Sequence, residues 1–224
     1  MKVNNPLYKK IGIHLIASIF TVEKGIVKVL LIKRTNEPYK DKWALVGGAL
    51  YNNEDLEEGI KREIFEKTGI VGIDVSIFEV FGKIKRSPVQ RMIALGYLGV
   101  IDANKVKFLK NTLKTSDADW FALDNIPPLA YDHKEILHAA FNELKNRIVE
   151  SNILQSLYPN GFTMPEIQKV YETIFNKTID KRNFRKKFIS LGIIEDTNKF
   201  IRFEGTKPAK LYRFKKHIKI KSII

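Results

Sequence analysis

The 224-residue sequence contains no cysteine, which excludes disulfide bridges, zinc–cysteine sites and thiol catalysis. Long apolar runs are also missing. None approaches the roughly 20 residues that a membrane-spanning helix needs, and the opening MKVNNPLYKK has no apolar leader core. A soluble, cytoplasmic protein with no membrane partner is therefore expected. Histidine is scarce, and the four present (His14, His133, His138 and His217) show no metal-ligand spacing. No Ser-His-Asp arrangement, internal repeat or low-complexity segment stands out. Acidic charge is in short supply too: 39 Lys and Arg face 25 Asp and Glu, a net charge of +14. Residues 151–224 hold 16 basic against 6 acidic residues, and residues 1–150 hold 23 against 19. An excess gathered in the last third suits a polyanionic partner such as nucleic acid; it also suits a basic surface that is simply solvated.

Residues 11–20 and 26–34 are β-branched and apolar, and predict two strands joined by a turn at Glu23-Lys24-Gly25. Trp43 to Val46 predicts a short strand entering Gly47-Gly48. From Glu54 to Lys67 the period becomes helical, with Leu56, Ile60 and Ile64 four apart and Gly69 as the stop. Further strands are expected at 73–81 and 92–101 and around Trp120-Phe121. Asp132 then caps a long helix, with Glu135 three residues on and Ile136, Leu137, Ala140, Phe141, Leu144 and Ile148 on its buried face. Pro159-Asn160-Gly161 breaks the pattern. Two domains follow, 1–153 and 154–224.

The second domain opens on Thr163-Met164-Pro165-Glu166, a capping box. Ile167, Val170, Tyr171 and Ile174 share a helical face. A short connector leads to Asp180 as the next cap, and the following helix buries Phe184, Phe188 and Leu191. The segments IIED, KFIRF and KLYRF are strand-like, with a turn at Glu204-Gly205-Thr206-Lys207-Pro208. Helix, turn, helix and ribbon describe a winged helix-turn-helix. Burial of the aromatic face turns Lys181, Arg182, Asn183, Arg185 and Lys186 outward, as a recognition helix requires. Lys207 and Lys210 at the wing suit backbone contact. These seven are the candidate DNA-binding residues, and a solvated lysine-rich helix is the plainer alternative.

In the first domain, Gly48, Glu54, Arg62-Glu63-Ile64-Phe65-Glu66 and Gly69-Ile70 resemble the Nudix box, GX5EX7REUXEEXGU with U aliphatic. Every fixed position fits except one, where Lys67 replaces the last glutamate. The resemblance implies an α/β fold, an α/β/α sandwich with a mixed sheet. It also implies hydrolysis of nucleoside diphosphate derivatives with Mg²⁺ on helix glutamates, here Glu63 and Glu66, while Glu54 and Arg62 brace the loop. Positions 63, 66 and 67 share a helical face, and lysine changes its charge from −3 to −1. A Glu63–Lys67 pair on an exposed helix is worth roughly 0.2–0.5 kcal/mol. Mg²⁺ loses a ligand and local negative charge, so metal-assisted hydrolysis is expected to be impaired. No cofactor is then required, and Mg²⁺ enters only if hydrolase activity remains. Val46 stands where hydrolases commonly have proline. The loop Gly82 to Arg91 gathers Lys83, Lys85, Arg86 and Arg91, and could clamp an anion or be merely solvated. Arg34, Trp43, Gly47, Gly48, Arg86 and Arg91 are the candidate effector-binding residues.

Over nearly its full length the chain also resembles the Nudix-related transcriptional regulators. The residues that carry this are Lys33-Arg34 with Glu37-Pro38, the Nudix-like box, Tyr131-Asp132-His133, and FTMPEIQKVYETIFNKTIDKRNFRKKFISLGII followed by KPAKLYRF. The resemblance implies a repressor, usually a homodimer, whose Nudix-like domain binds a small effector while its winged helix binds double-stranded operator DNA. In that branch the effector is ADP-ribose or a related NAD metabolite, or, near sugar-catabolic genes, a pentose such as arabinose. Two rivals remain at this level: an active Mg²⁺-dependent Nudix hydrolase with a nucleic-acid-binding tail, and a DNA-binding protein on an inert scaffold.

Overall fold

Along β1 (Gly12–Glu23) and β2 (Ile26–Arg34), Leu15, Ala17, Ile19, Leu30 and Ile32 join one apolar cluster, while Ile16, Phe20, Val29 and Leu31 join another. Successive strand residues point to opposite faces, so strands apolar on both faces must be covered on both. The computed structural model describes residues 11–106, 108, 115–202, 205 and 207–215. In it, Ile60 and Ile64 of helix α1 (Leu56–Thr68) cover the first face. Ile136, Leu137, Ala140, Leu144 and Ile148 of α2 (His133–Glu150) cover the second. The strands β3 (Trp43–Ala49), β4 (Val75–Phe81), β5 (Met92–Val100) and β6 (Thr115–Ala122) complete a six-stranded sheet in the order β4-β5-β1-β3-β2-β6. Only β1 and β5 run parallel. This is an α/β/α sandwich on a mixed sheet. The β1–β2 turn carries Lys24 and Gly25 at φ 50° and 76°, the left-handed pair that matches strand twist in a two-residue hairpin.

Two local expectations need correction. Helix α1 starts at Leu56 rather than Glu54, because Asp55 is the N-cap residue and its N–H donates to Glu58 Oε2 at 3.1 Å. Glu54 is left outside the helix and folds back on it to meet Arg62. Asp132 precedes α2 but its side chain makes no capping bond; its carboxylate is taken by Arg86. The opening residues 1–10 lie outside the described residues.

Beyond α2, a 3₁₀ turn (Ile153–Leu157) leads to β7 (Phe162–Thr163), α3 (Met164–Phe175), α4 (Lys181–Ser190), β8 (Ile194–Ile201) and β9 (Ala209–Phe214). The strands form a second sheet, β7-β9-β8. Thr163 and Glu166 make the expected capping box: Thr163 N–H donates to Glu166 Oε2 at 2.7 Å, and Thr163 Oγ1 accepts from Glu166 N–H at 3.4 Å. Phe188 is buried, whereas Phe184 and Leu191 are only half-buried, with the two phenyl rings stacked at 5.2 Å. Glu204 and Thr206 of the expected wing turn, and Phe203 at the end of the strand-like KFIRF, lie outside the described residues.

The two halves do not keep separate cores. One cluster runs from Phe20 and Ile148 through Leu154 and Leu157 of the 3₁₀ turn to Phe162, Ile167 and Phe188. Polar bonds cross the same junction. Tyr171 Oη donates to Ile148 O at 2.6 Å, and Thr173 Oγ1 donates to Gly25 O at 3.0 Å. Among the described residues, no helix is long and apolar enough to cross a membrane.

Candidate functional site

Helix α1 is stopped by Gly69, whose left-handed backbone (φ 78°) lets its N–H donate to Phe65 O at 2.8 Å. Between cap and stop, the face that carries Ile60 and Ile64 into the core also carries two charges. Glu63 is 1% and Lys67 7% exposed, so the pair expected on an exposed helix is instead buried. Charge taken out of water must be matched, and here it is. Glu63 Oε2 accepts from Lys67 Nζ at 2.6 Å, and Oε1 accepts from Arg62 Nη1 at 2.7 Å. Burial by itself pushes the Glu63 carboxyl up, but Lys67 and Arg62 outweigh it and hold it below its ordinary range. The carboxylate lies directly on Gly48, where an added Cβ would come within 2.4 to 2.5 Å of its atoms. Glycine at 48 is thus a packing requirement of Glu63.

Arg62 ties the preceding loop to the helix. It donates to both oxygens of Glu54 (2.7 and 2.6 Å), to Ala49 O at 3.0 Å and to Glu66 Oε2 at 3.4 Å, and it lies 3.8 Å from the Tyr51 ring centroid. A forked guanidinium is suited to such planar pairing.

The resemblance to the Nudix box implies a divalent cation on this helix, and the donors do not fit one. Both oxygens of Glu63 already accept from cationic donors, and the third position of the carboxylate cluster is an ammonium 2.6 Å from Glu63. Mg²⁺ needs carboxylate oxygens and near-octahedral geometry. Among the described residues, no group of three or more His, Asp and Glu side chains is placed to hold a metal ion.

The basic loop from Gly82 to Arg91 turns out to be largely occupied with internal partners. Arg86, 6% exposed, makes a two-pronged pair with Asp132 (2.9 and 2.9 Å). Lys83 pairs with Glu135, and Arg91 Nη1 donates to Lys83 O at 2.9 Å. The loop is therefore pinned to the start of α2. Beside it, His133 Nδ1 accepts from Leu45 N–H at 3.0 Å. Burial, then the Arg86 charge, lowers His133 to about 3. Burial, then Arg86 and Lys67, lowers His14 to about 4. Both rings are neutral at neutral pH.

Arg34, at the end of β2, faces the α1 side. Its Nε and Nη2 donate to Pro38 O, Nη2 also to Asn36 O, and its guanidinium stands 5.1 Å from the Tyr131 ring centroid. Tyr39 packs edge-on to Tyr131 at 4.6 Å. A cavity of about 90 Å³ is lined by Ile32, Arg34, Thr35, Asn36 and Lys67. Of the other candidates, Gly47 brings its backbone against Leu15 O, and an added Cβ would lie 2.1 Å from that oxygen. Trp43 packs edge-on to Phe121 in the α2-side core, across the sheet from Lys67. Arg34, Gly48, Glu63 and Lys67 therefore gather at one place, whereas Trp43 lies elsewhere. Sequence reasoning missed the Tyr39–Tyr131 wall and the acid that takes Arg86. The triplet Tyr131-Asp132-His133 was the available signal.

In the second half, Asp180 Oδ1 accepts from Asn183 N–H at 2.8 Å and starts α4. Lys181, Arg182, Asn183, Arg185 and Lys186 are all exposed. Arg185 Nη2 reaches Tyr212 Oη at 3.5 Å, and Lys210 pairs with Asp196 at 2.6 Å. Lys207 is exposed on the wing.

Residues 13–140 match the NUDIX domain family, and residues 155–214 match the NrtR DNA-binding winged helix domain. The chain is 33% identical over 201 residues to an ADPR-responsive transcriptional repressor, NtrR, of Acinetobacter baylyi, spanning 88% of this chain and 79% of that protein. The chain belongs to the NrtR family of Nudix-related regulators. Crystallised Shewanella oneidensis NrtR in complex with a 27-mer DNA is 28% identical, covers 91% of this chain and 93% of its own, and superposes with a TM-score of 0.80. The NUDIX domain of the same NrtR, crystallised with ADP-ribose, is 26% identical over 62% of this chain and 93% of its own, with a TM-score of 0.56. The winged-helix match coincides with the basic C-terminal third of the chain.

Proposed function

We propose that this protein is an intracellular transcriptional repressor. Its α4 and wing hold double-stranded operator DNA, and ADP-ribose, bound near Arg34 and Lys67, releases it. The observation that carries the proposal is the exposed row of Lys181, Arg182, Asn183, Arg185 and Lys186 on the second helix of a winged helix-turn-helix. Such a helix enters the major groove, where Arg and Asn pair with base edges and lysines meet phosphates. A homodimer reading two half-sites fits this module, since half-sites one helical turn apart match a two-fold axis.

For an effector to release DNA it must bind the DNA-competent and DNA-incompetent states with different affinity. The fold supplies a connection. β2 runs from Arg34 at the cavity to Ile26, beside Gly25, whose carbonyl accepts from Thr173 of α3. The paired cations also favour an anionic effector over a neutral pentose, which would need mainly hydroxyl partners. Hydrolysis is not the role we assign. Glu63, locked between Arg62 and Lys67, supports that reading.

The test is retardation of duplexes bearing a palindromic site, with and without ADP-ribose and arabinose. Binding should weaken steeply with salt and be reversed by ADP-ribose alone. Release by arabinose instead would replace the effector assignment. Turnover of ADP-ribose with Mg²⁺ at enzymatic rates would overturn the non-catalytic reading.

A further inference from the structure

Lys67 has a second neighbour besides Glu63. The cavity it shares with Arg34 is lined by two cations and no carboxylate. Glu63 Oε2 accepts from Lys67 Nζ at 2.6 Å, and the same lysine lines the cavity beside Arg34. Arg34 is held through backbone carbonyls and an aromatic face, contacts that orient the guanidinium without cancelling its charge. The larger groove of about 980 Å³ beside β4 suits an anion less well. Its lining includes Asp74 and Glu143, and its Arg147 already donates to Ser76, Ile77 O and Glu143.

We infer that Lys67 is the counter-cation for the diphosphate of the effector, so that a nucleoside diphosphate binds this pocket without a divalent metal. The inference rests on the ADP-ribose reading above. In a metal-dependent pocket, carboxylates hold Mg²⁺ and Mg²⁺ holds phosphate oxygens. Here a lysine, a point charge well suited to phosphate, occupies the place of both ligand and metal. Glu63 then has a new task. Its carboxylate, 2.6 Å from Lys67 Nζ, holds the ammonium in place at the cavity wall. Arg34 lines the same cavity and supplies the second positive charge, matching the two negative charges of a bridging diphosphate. Gly48 matters indirectly, because only a bare backbone lets Glu63 sit where it can hold Lys67.

The experiment is calorimetric titration of the full chain with ADP-ribose, once in Mg²⁺ and once in EDTA. The two dissociation constants should agree within about twofold. Lys67→Gln should weaken binding by about tenfold or more in EDTA, and Lys67→Arg should recover part of that loss. Lys67→Glu should bind only when Mg²⁺ is present. Thermal unfolding checks that each variant is folded. Should Lys67→Gln fail that check, inorganic pyrophosphate must still compete with ADP-ribose on the wild-type chain in EDTA. Wild-type binding that vanishes in EDTA, unchanged affinity in a folded Lys67→Gln, or no competition by pyrophosphate would overturn the inference while leaving the ADP-ribose reading intact. No binding in either buffer, with DNA binding retained, would overturn the ADP-ribose reading itself.

Discussion

On α1, Glu63 and Lys67 are almost wholly buried and hold each other at 2.6 Å, with Arg62 on the other carboxylate oxygen. On α4, Lys181, Arg182, Arg185 and Lys186 stand in solvent, and the acid Glu172 is only weakly felt by Lys181. The first arrangement spends its charge internally, and it shapes a pocket and contributes to the fold. The second leaves charge unspent, so it adds little to stability and waits for a polyanion. Charged residues at similar helical spacing therefore serve opposite ends, and burial decides which.

The comparison breaks most visibly at Glu63. Glu63→Ala leaves the Lys67 ammonium buried with its nearest counter-charge removed. Loss of one partner from a buried pair costs about 3–5 kcal/mol. Urea unfolding of the full chain should show that loss, with Glu63→Gln intermediate. A change below about 1 kcal/mol would mean that the pair is solvated and the contrast with α4 unfounded.

The converse experiment acts on α4. Arg185→Ala together with Lys186→Ala should weaken operator binding by about 100-fold, near 2.7 kcal/mol, and lower the salt dependence. Fluorescence anisotropy at several salt concentrations measures both. Unfolding should move by no more than about 0.5 kcal/mol, as expected at exposed sites. A large stability loss with intact DNA binding would reverse the roles of the two helices.

Two histidines, His133 buried and His14 half-buried, sharpen the picture on the first half. His14 and His133 are lowered to about 4 and about 3 in the folded chain, against about 6.5 unfolded. The unfolded chain therefore binds protons that the folded one refuses. Their contribution is complete above pH 6.5 and is lost as pH falls from there toward 4 and 3. By pH 5 each should remove about 2 kcal/mol. Urea midpoints between pH 7 and pH 5 should fall less steeply in His133→Gln than in wild type. An unchanged slope would mean that the ring already protonates in the folded chain.

Much of this was legible before any coordinates. The winged helix was readable because Thr163, Glu166, Asp180 and the Phe184/Phe188 spacing are local signals, each fixed by hydrogen bonds or periodicity within a few residues. Lys67 was readable as an intruder because the box is a fixed spacing on one helix. What could not be read is contact between distant segments. Asp132 looked like a cap, yet it is 46 residues from the Arg86 it serves; nothing local distinguishes the two uses of an aspartate. Trp43 lies one strand residue away from facing the α1 side, and strand parity alone sends it to the other core. The burial of Glu63 depends on Gly48 lying beneath it, a fact of strand–helix packing rather than of sequence.

The smallest expected effect concerns the junction between the halves. Thr163 closes the start of α3 through its capping box with Glu166, and Thr163→Ala should cost about 1 kcal/mol. Where that loss is felt is the informative part. One apolar cluster runs from Phe20 to Phe188, and Tyr171 and Thr173 bond back to Ile148 and Gly25. If that shared core makes the chain unfold as one unit, a cap removed from the winged helix must lower the single transition seen by both the near-ultraviolet signal of Trp43 and Trp120 and the far-ultraviolet signal of the helices. If the halves were only tethered, the tryptophans, which both lie in the sheet half, would report no change while the helical signal moved. Coincident shifts of the two probes support a shared core capable of carrying strain from the pocket to α3. Separated shifts would remove that route from the pocket to α3.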